Sequence, residues 1–172
     1  MKMNYVLCAI GHWNDPDMLV VGMVGYGLGE NTNGLRETRL TPDEQYTHIT
    51  LWTLVASNML IGCDIAQIDD FTFNLLCNNE VNAVNQDVLG IQAHRDVEED
   101  GFQIWSRPLS DGSLAVGIFN LNDTSGHVDL AGCLAKIGLE NVKTVRDLWR
   151  QKDIPAGTCL IPSHGVRLLK VR

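Results

Sequence analysis

The chain has 172 residues, a length that suits one domain or two small ones, and its 45% hydrophobic content supports a packed core and argues against disorder. A formal charge of −8 offers no contiguous basic surface to neutralise phosphates. Nucleic acid and anionic membrane are therefore not expected partners, while a neutral substrate such as a sugar is compatible.

The five cysteines (Cys8, Cys63, Cys77, Cys133 and Cys159) are scattered, odd in number and without C-x-x-C spacing. Neither a structural zinc site nor a disulfide framework is expected. Buried free thiols are the simpler reading, and no metal or other cofactor is expected.

In chain order, Asn4 to Ile10 is an apolar run bounded by a glycine, with the length of a strand buried on both faces. The stretch Met1 to Ile10 is too short for a signal-peptide core or a membrane span. A dense polar–aromatic run follows: Gly11-His12-Trp13-Asn14-Asp15-Pro16-Asp17-Met18. Gly22 to Gly34 reads as a long irregular loop.

Thr41-Pro42-Asp43-Glu44 is a helix start, with Thr41 as cap, Pro42 at the first helical position and Glu44 completing a capping box. An apolar face through Ile49, Leu51, Trp52, Leu54 and Val55 predicts that this helix reaches about Asn58. Met59 to Asp64 reads as a short buried strand, Ile68 to Cys77 as a helix led by Asp69 and Asp70, and Asn79 to Asn85 as a shorter helix or turn.

Strand, loop, helix, strand, helix is the rhythm of a parallel α/β sheet, in which polar residues at strand C-terminal ends form the functional face. From about Arg95 the texture changes to short strands and turns. Phe102–Arg107 and Leu114–Leu121 flank an Asp111-Gly112 turn and predict a hairpin. Further strands are expected at His127–Leu130, Val142–Trp149 and Val166–Val171, giving a small antiparallel sandwich.

Several residues carry two readings. Asp15 and Asp17 form either a paired-carboxylate site or a turn around Pro16 with both carboxylates bonded to backbone or solvent. Trp13 either stacks on a sugar ring or fills core. His12 reads as a hydrogen-bonded structural histidine and His48 as core or rim. Asp64 is either a functional carboxylate or a helix cap. No serine has a G-x-S-x-G setting, and the glycines near Gly25 do not follow a strand into a helix, so a serine hydrolase and a nucleotide site have little support.

Together, His12-Trp13-Asn14-Asp15-Pro16-Asp17-Met18-Leu19, Leu40–Tyr46 with His48, Leu51 and Trp52, Leu60–Asp64, Val81–Asp87 with Leu89-Gly90, Leu109–Ser113 and Val145–Trp149 resemble the ordered motifs of the α-galactosidase (melibiase) family, glycoside hydrolase family 27. The resemblance implies α/β followed by all-β: the last two β/α units of a (β/α)8 barrel in residues 1–94, then an antiparallel β-sandwich in 95–172. It implies retaining cleavage of terminal α-galactosides by two aspartates that in the family precede the Trp-Asn-Asp-Pro-Asp-Met motif.

On that resemblance no catalytic residue is assigned here. Asp17 is expected to bond galactose hydroxyls, Met18 to pack against the sugar, and Trp13 and Asp15 to hold the loop. The chain is expected to be a C-terminal fragment, inactive alone, with a galactose-containing glycoside as ligand. The alternatives are a non-catalytic galactose-binding or scaffold module, or half of a split enzyme whose barrel another chain completes. Departures from the family pattern include Val88 and Asn58-Met59, where the family often has proline, and a longer loop over 22–39.

Overall fold

The computed structural model describes residues 11–25 and 34–172. The strand expected at Asn4–Ile10 and the tip of the glycine-rich loop lie outside them.

The described chain opens with the Trp13–Met18 turn and an extended segment that bends at Gly22 (φ +64°). Leu19 donates its amide to the Leu60 carbonyl (2.7 Å) and accepts from Gly62 N–H (3.1 Å), which makes a parallel bridge between Leu19 and Ile61. Parallel pairing of this kind, with a helix between the partners, is the βαβ unit that the sequence rhythm predicts. Beyond it, β1 (Met23–Val24) pairs antiparallel with β2 (Arg36–Glu37), so the ends of the glycine-rich loop are tied together.

Helix α1 (Pro42–Leu54) starts where its chemistry dictates. Thr41 accepts from Glu44 N–H, and the Glu44 carboxylate accepts from Thr41 N–H at 2.7 Å. It ends earlier than its apolar pattern suggests, because Ala56 adopts φ +53° and the amides of Ala56 and Ser57 turn back onto the carbonyls of Thr53 and Trp52. This is the Schellman closure, with alanine in the left-handed position that glycine usually fills.

A short 3₁₀ turn (Ile65–Gln67) and helices α2 (Asp70–Leu76) and α3 (Asn79–Asn85) follow, capped by Asp64, Asp69 and Asn78 respectively. The expected buried strand at Met59–Asp64 is corrected to a single bridge. Leu60 is 54% exposed and Ile61 47% exposed, since among the described residues only one edge of this segment is paired.

The second half builds a six-stranded antiparallel sheet in the order β3-β4-β5-β10-β7-β8. Its strands are β3 (His94–Glu99), β4 (Phe102–Pro108), β5 (Leu114–Asn120), β7 (Thr144–Asp147), β8 (Lys152–Pro155) and β10 (Val166–Val171). A two-stranded layer of β6 (Gly126–Asp129) and β9 (Thr158–Ile161), with helix α4 (Leu130–Ala135), covers one face. The hairpin and β10 match expectation. Strands β3, β8 and β9 and helix α4 do not appear in the sequence reading, and the strand expected over Val142–Trp149 shortens to β7 as Leu148–Arg150 turns.

Strand β5 is buried along nearly its whole length because the sheet is covered on both sides. Val116 and Ile118 point with Ile104, Leu169 and Val171 into one core, against Val128, Leu134 and Ile161. The alternate residues Ala115 and Phe119 point with Leu168 into a second core that contains Leu19, Val21, Ile49, Leu54 and Leu75. This second core fuses the α/β segment to the sandwich. Gly117 permits a close approach: a Cβ there would lie 2.5 Å from a Leu54 methyl.

Candidate functional site

The Trp13–Met18 turn is built by its own aspartates. Asp15 Oδ1 accepts from Asp17 N–H (3.0 Å), the Asx turn that an Asp-Pro pair favours. Asp17 takes φ +73°, a conformation aspartate tolerates better than most residues, and its Oδ1 accepts from Met18 N–H at 2.8 Å. Asp17 Oδ2 has no hydrogen-bond partner among the described residues. Asn14 fastens the start of the turn by donating to Gln92 Oε1 (2.8 Å).

Trp13 and Met18 are half-exposed, at 45% and 44%. Among the described residues Trp13 is therefore not enclosed. With Asp15 it lines a groove of about 770 Å³ alongside Asn58, Met59, Leu60 and Val88. Met18 lines a different groove, of about 750 Å³, with Val20, Thr38, Ile61 and Asp64. Trp13 and Asp15 thus face one concavity and Met18 another, and exposed Asp17 sits in the turn, lining neither. Gly62 makes room for Met18: a Cβ there would meet Met18 Sδ at 2.7 Å and the Leu19 carbonyl at 2.8 Å.

Asp64 caps the 3₁₀ turn by accepting from Ala66 N–H (2.9 Å), so the cap reading holds. His48 sits at the rim. Its Nε2 accepts from Val20 N–H (3.1 Å), its ring packs on Trp52 with centroids 4.1 Å apart, and burial pushes its pKa below the ordinary histidine value.

The functional residues that the sequence reading missed lie on one face of α1. Gln45 accepts from Gly22 N–H (3.2 Å), His48 from Val20 N–H, and Trp52 Nε1 donates to the Asp17 carbonyl (3.1 Å). Thr38 Oγ1 closes the set by donating to the Val20 carbonyl (2.6 Å). Backbone groups alternate edges along a strand. Leu19 uses one edge for Leu60 and Gly62, and side chains satisfy the other edge at Val20 and Gly22. The stripe Gln45, His48, Trp52 at helical spacing is the signal that was legible in the sequence.

The described chain thus joins a parallel α/β unit carrying a carboxylate-rich turn to an antiparallel sandwich. The family comparisons agree. The model described as "Alpha galactosidase A" matches residues 3–87, and that described as "Alpha galactosidase C-terminal beta sandwich domain" matches residues 99–171.

An α-galactosidase from Cyamopsis tetragonoloba is 38% identical over 164 residues, covering 92% of this chain and 36% of the relative. A β-L-arabinopyranosidase of glycoside hydrolase family 27 from Geobacillus stearothermophilus superposes with TM-score 0.80 at 31% identity, over 94% of this chain and 37% of that one. α-Galactosidase I from Mortierella vinacea gives TM-score 0.72 at 31% identity, over 92% and 39%. The chain belongs to the α-galactosidase family, glycoside hydrolase family 27, and corresponds to its C-terminal region. It spans about a third of the length of the curated relatives it matches.

Proposed function

We propose that this chain supplies the sugar-reading wall of an α-galactosidase-type glycoside hydrolase that acts on terminal α-galactosides. In this reading Asp17 accepts from galactose hydroxyls, Met18 packs against the sugar, and Trp13 and Asp15 hold the turn. The observation that carries it is the split use of the Asp17 carboxylate. One oxygen is committed to Met18 N–H and fixes the side chain, and the other has no described partner. A carboxylate held in this way binds a neutral polyol through charge-assisted hydrogen bonds. We also propose that residues 1–94 belong to the barrel and 95–172 to the β-sandwich, in keeping with the two family matches.

Bond cleavage by these residues alone is not part of the reading. Retaining hydrolysis needs two carboxyl groups facing one anomeric carbon about 5 Å apart. Asp15 is spent on the Asx turn and Asp64 on a helix cap. The test is a titration with methyl α-galactoside, followed by backbone amide shifts, beside an assay on an aryl α-galactoside. Saturable binding lost in Asp17→Ala, without turnover by the chain alone, is expected. Binding unaffected by Asp17→Ala would overturn the site, and robust turnover would overturn the division of labour.

One observation favours a second reading beside the first. The segment Met59–Asp64 is paired on one edge among the described residues, and Leu60, Val88 and Trp13 are exposed along the groove it borders. We propose that further barrel strands, in the same polypeptide or another, cover this edge. Protection of the Ile61 amide in an assembly with a relative's upstream barrel segment is expected; unchanged exchange would refute it.

A further inference from the structure

We propose that helix α1 is a clamp that sets the backbone of the sugar-binding turn, with His48 and Trp52 as its positioning residues and the β-sandwich as its anchor; the ligand part of this rests on the reading above. The two side chains hold the turn on both sides of Met18. Trp52 Nε1 donates to the Asp17 carbonyl (3.1 Å) and His48 Nε2 accepts from Val20 N–H (3.1 Å). They stand one helical turn apart, with ring centroids 4.1 Å from each other, so a displacement of one ring presses on the other.

The held segment needs holding. Asp17 sits at φ +73°, a sparsely populated conformation for a residue with a Cβ, and such a conformation persists where surrounding contacts over-determine it. The Asp15 turn bond fixes the Asp17 amide, and Trp52 fixes the Asp17 carbonyl. Between them the peptide planes that aim the Asp17 side chain have little freedom.

The opposite side of α1 is tied to the sandwich by side chains at helical spacing. Thr47 Oγ1 donates to the His164 carbonyl (2.7 Å), Trp149 Nε1 donates to Thr50 Oγ1 (2.8 Å), and Arg107 Nη1 donates to the Thr53 carbonyl (2.9 Å). Arg107 is fully buried on β4, and Leu54 seats against Gly117 of β5. The bonds of Gln45 and Thr50 account for their burial beside Ile49 and Leu54: the helix bonds outward on two faces. The C-terminal domain therefore acts on sugar recognition without touching the sugar, by fixing the helix that fixes the turn.

Three variants test this: W52F removes the indole donor and keeps a ring, H48L removes the acceptor, and H48Q restores an acceptor of similar reach. The readouts are methyl α-galactoside affinity and hydrogen exchange of the Val20 amide, with the melting curve recorded for each protein. W52F and H48L are expected to bind about five- to tenfold more weakly, the effect of one lost hydrogen bond of ordinary net strength. H48L is expected to speed Val20 exchange, and H48Q to recover both readouts.

Wild-type affinity in W52F and H48L, despite faster Val20 exchange in H48L, would overturn the link from clamp to site. Unchanged Val20 exchange in H48L would overturn the clamp itself. Failure of the unmutated protein to bind the galactoside would overturn the reading of the site, and the Val20 exchange would still report on the clamp.

Discussion

Replacing Gly62 by alanine tests the packing beneath the candidate site. The new Cβ would stand 2.7 Å from Met18 Sδ, 2.8 Å from Met18 Cγ and 2.8 Å from the Leu19 carbonyl oxygen. Met18 is half-exposed and flexible, so its side chain can swing away cheaply. The Leu19 carbonyl cannot, because it already accepts from Gly62 N–H at 3.1 Å. The two extended segments must therefore separate by a few tenths of an ångström.

Overpacking of this kind costs roughly 1–3 kcal/mol, and weakening one backbone hydrogen bond adds up to about 1 kcal/mol. A central value of about 2 kcal/mol lowers the melting temperature of a chain this size by roughly 4–8 °C. Thermal unfolding followed by circular dichroism reads the first effect, and a galactoside titration reads the displacement of Met18. A variant that melts within about 1 °C of wild type, well inside the expected shift, and binds the sugar unchanged would refute the argued contact.

Other substitutions probe other parts of the account. Thr41→Ala breaks the capping box of α1 and is expected to cost about 1 kcal/mol, or roughly 2–4 °C in a melt; a larger loss of galactoside affinity than of stability would show that α1 frays towards the site. Glu80 and Asp87 both titrate below their ordinary values of 4.5 and 3.8. For Glu80 the main cause is the Arg146 hydrogen bond, with Nε to Oε2 at 2.9 Å; for Asp87 burial pulls upward, and hydrogen bonds from Ser110 and Leu89 outweigh it. A depressed carboxylate contributes stability that is present above its unfolded value and lost as pH falls through its folded value. The contribution of these two carboxylates to the melting temperature is therefore expected to hold above about pH 5 and to be lost below about pH 4.5. E80Q and D87N should start lower at neutral pH and fall less steeply; a wild-type melt flat down to pH 3 would contradict this. Burial pushes the Cys159 thiol up to about 11 and raises that of Cys133, whereas Cys77 is exposed. A thiol reagent at neutral pH is expected to modify Cys77 before Cys133 and Cys159, read by mass spectrometry of the digested protein, and the reverse order would refute the burial argument.

The elements that were legible in the sequence are those specified by local chemistry. The start of α1 needs only Thr41, Pro42 and Glu44, and the β4–β5 hairpin turns at Asp111-Gly112, where Gly112 takes φ +81°. Elements whose form depends on distant partners were not legible. Met59–Asp64 has the composition of a buried strand, but an apolar run does not state how many neighbours cover it. Strands β8 (Lys-Asp-Ile-Pro) and β9 (Thr-Cys-Leu-Ile) are too short for alternation to show, and they exist because β7 and β6 pair with them.

In the site, the Asp15 turn follows from an Asp-Pro step, and Asp64 was readable as a cap. The helical spacing of His48 and Trp52 was visible, but what they hold was not, because their partners lie 28 and 35 residues away in sequence. The mixed character of α1 hid them further. A helix that bonds through two faces carries threonine and glutamine where an amphipathic helix carries leucine.

The central claim is that the turn carrying Asp17 and Met18 recognises a galactoside. An amide-resolved titration of the protein and its Asp17→Ala variant with methyl α-galactoside tests it most directly. The account predicts saturable shifts centred on residues 15–20 in the wild type. It also predicts affinity at least about tenfold weaker in the variant, the loss expected for hydrogen bonds to a charged group. Shifts elsewhere in the chain, or equal affinity in the two proteins, would contradict it.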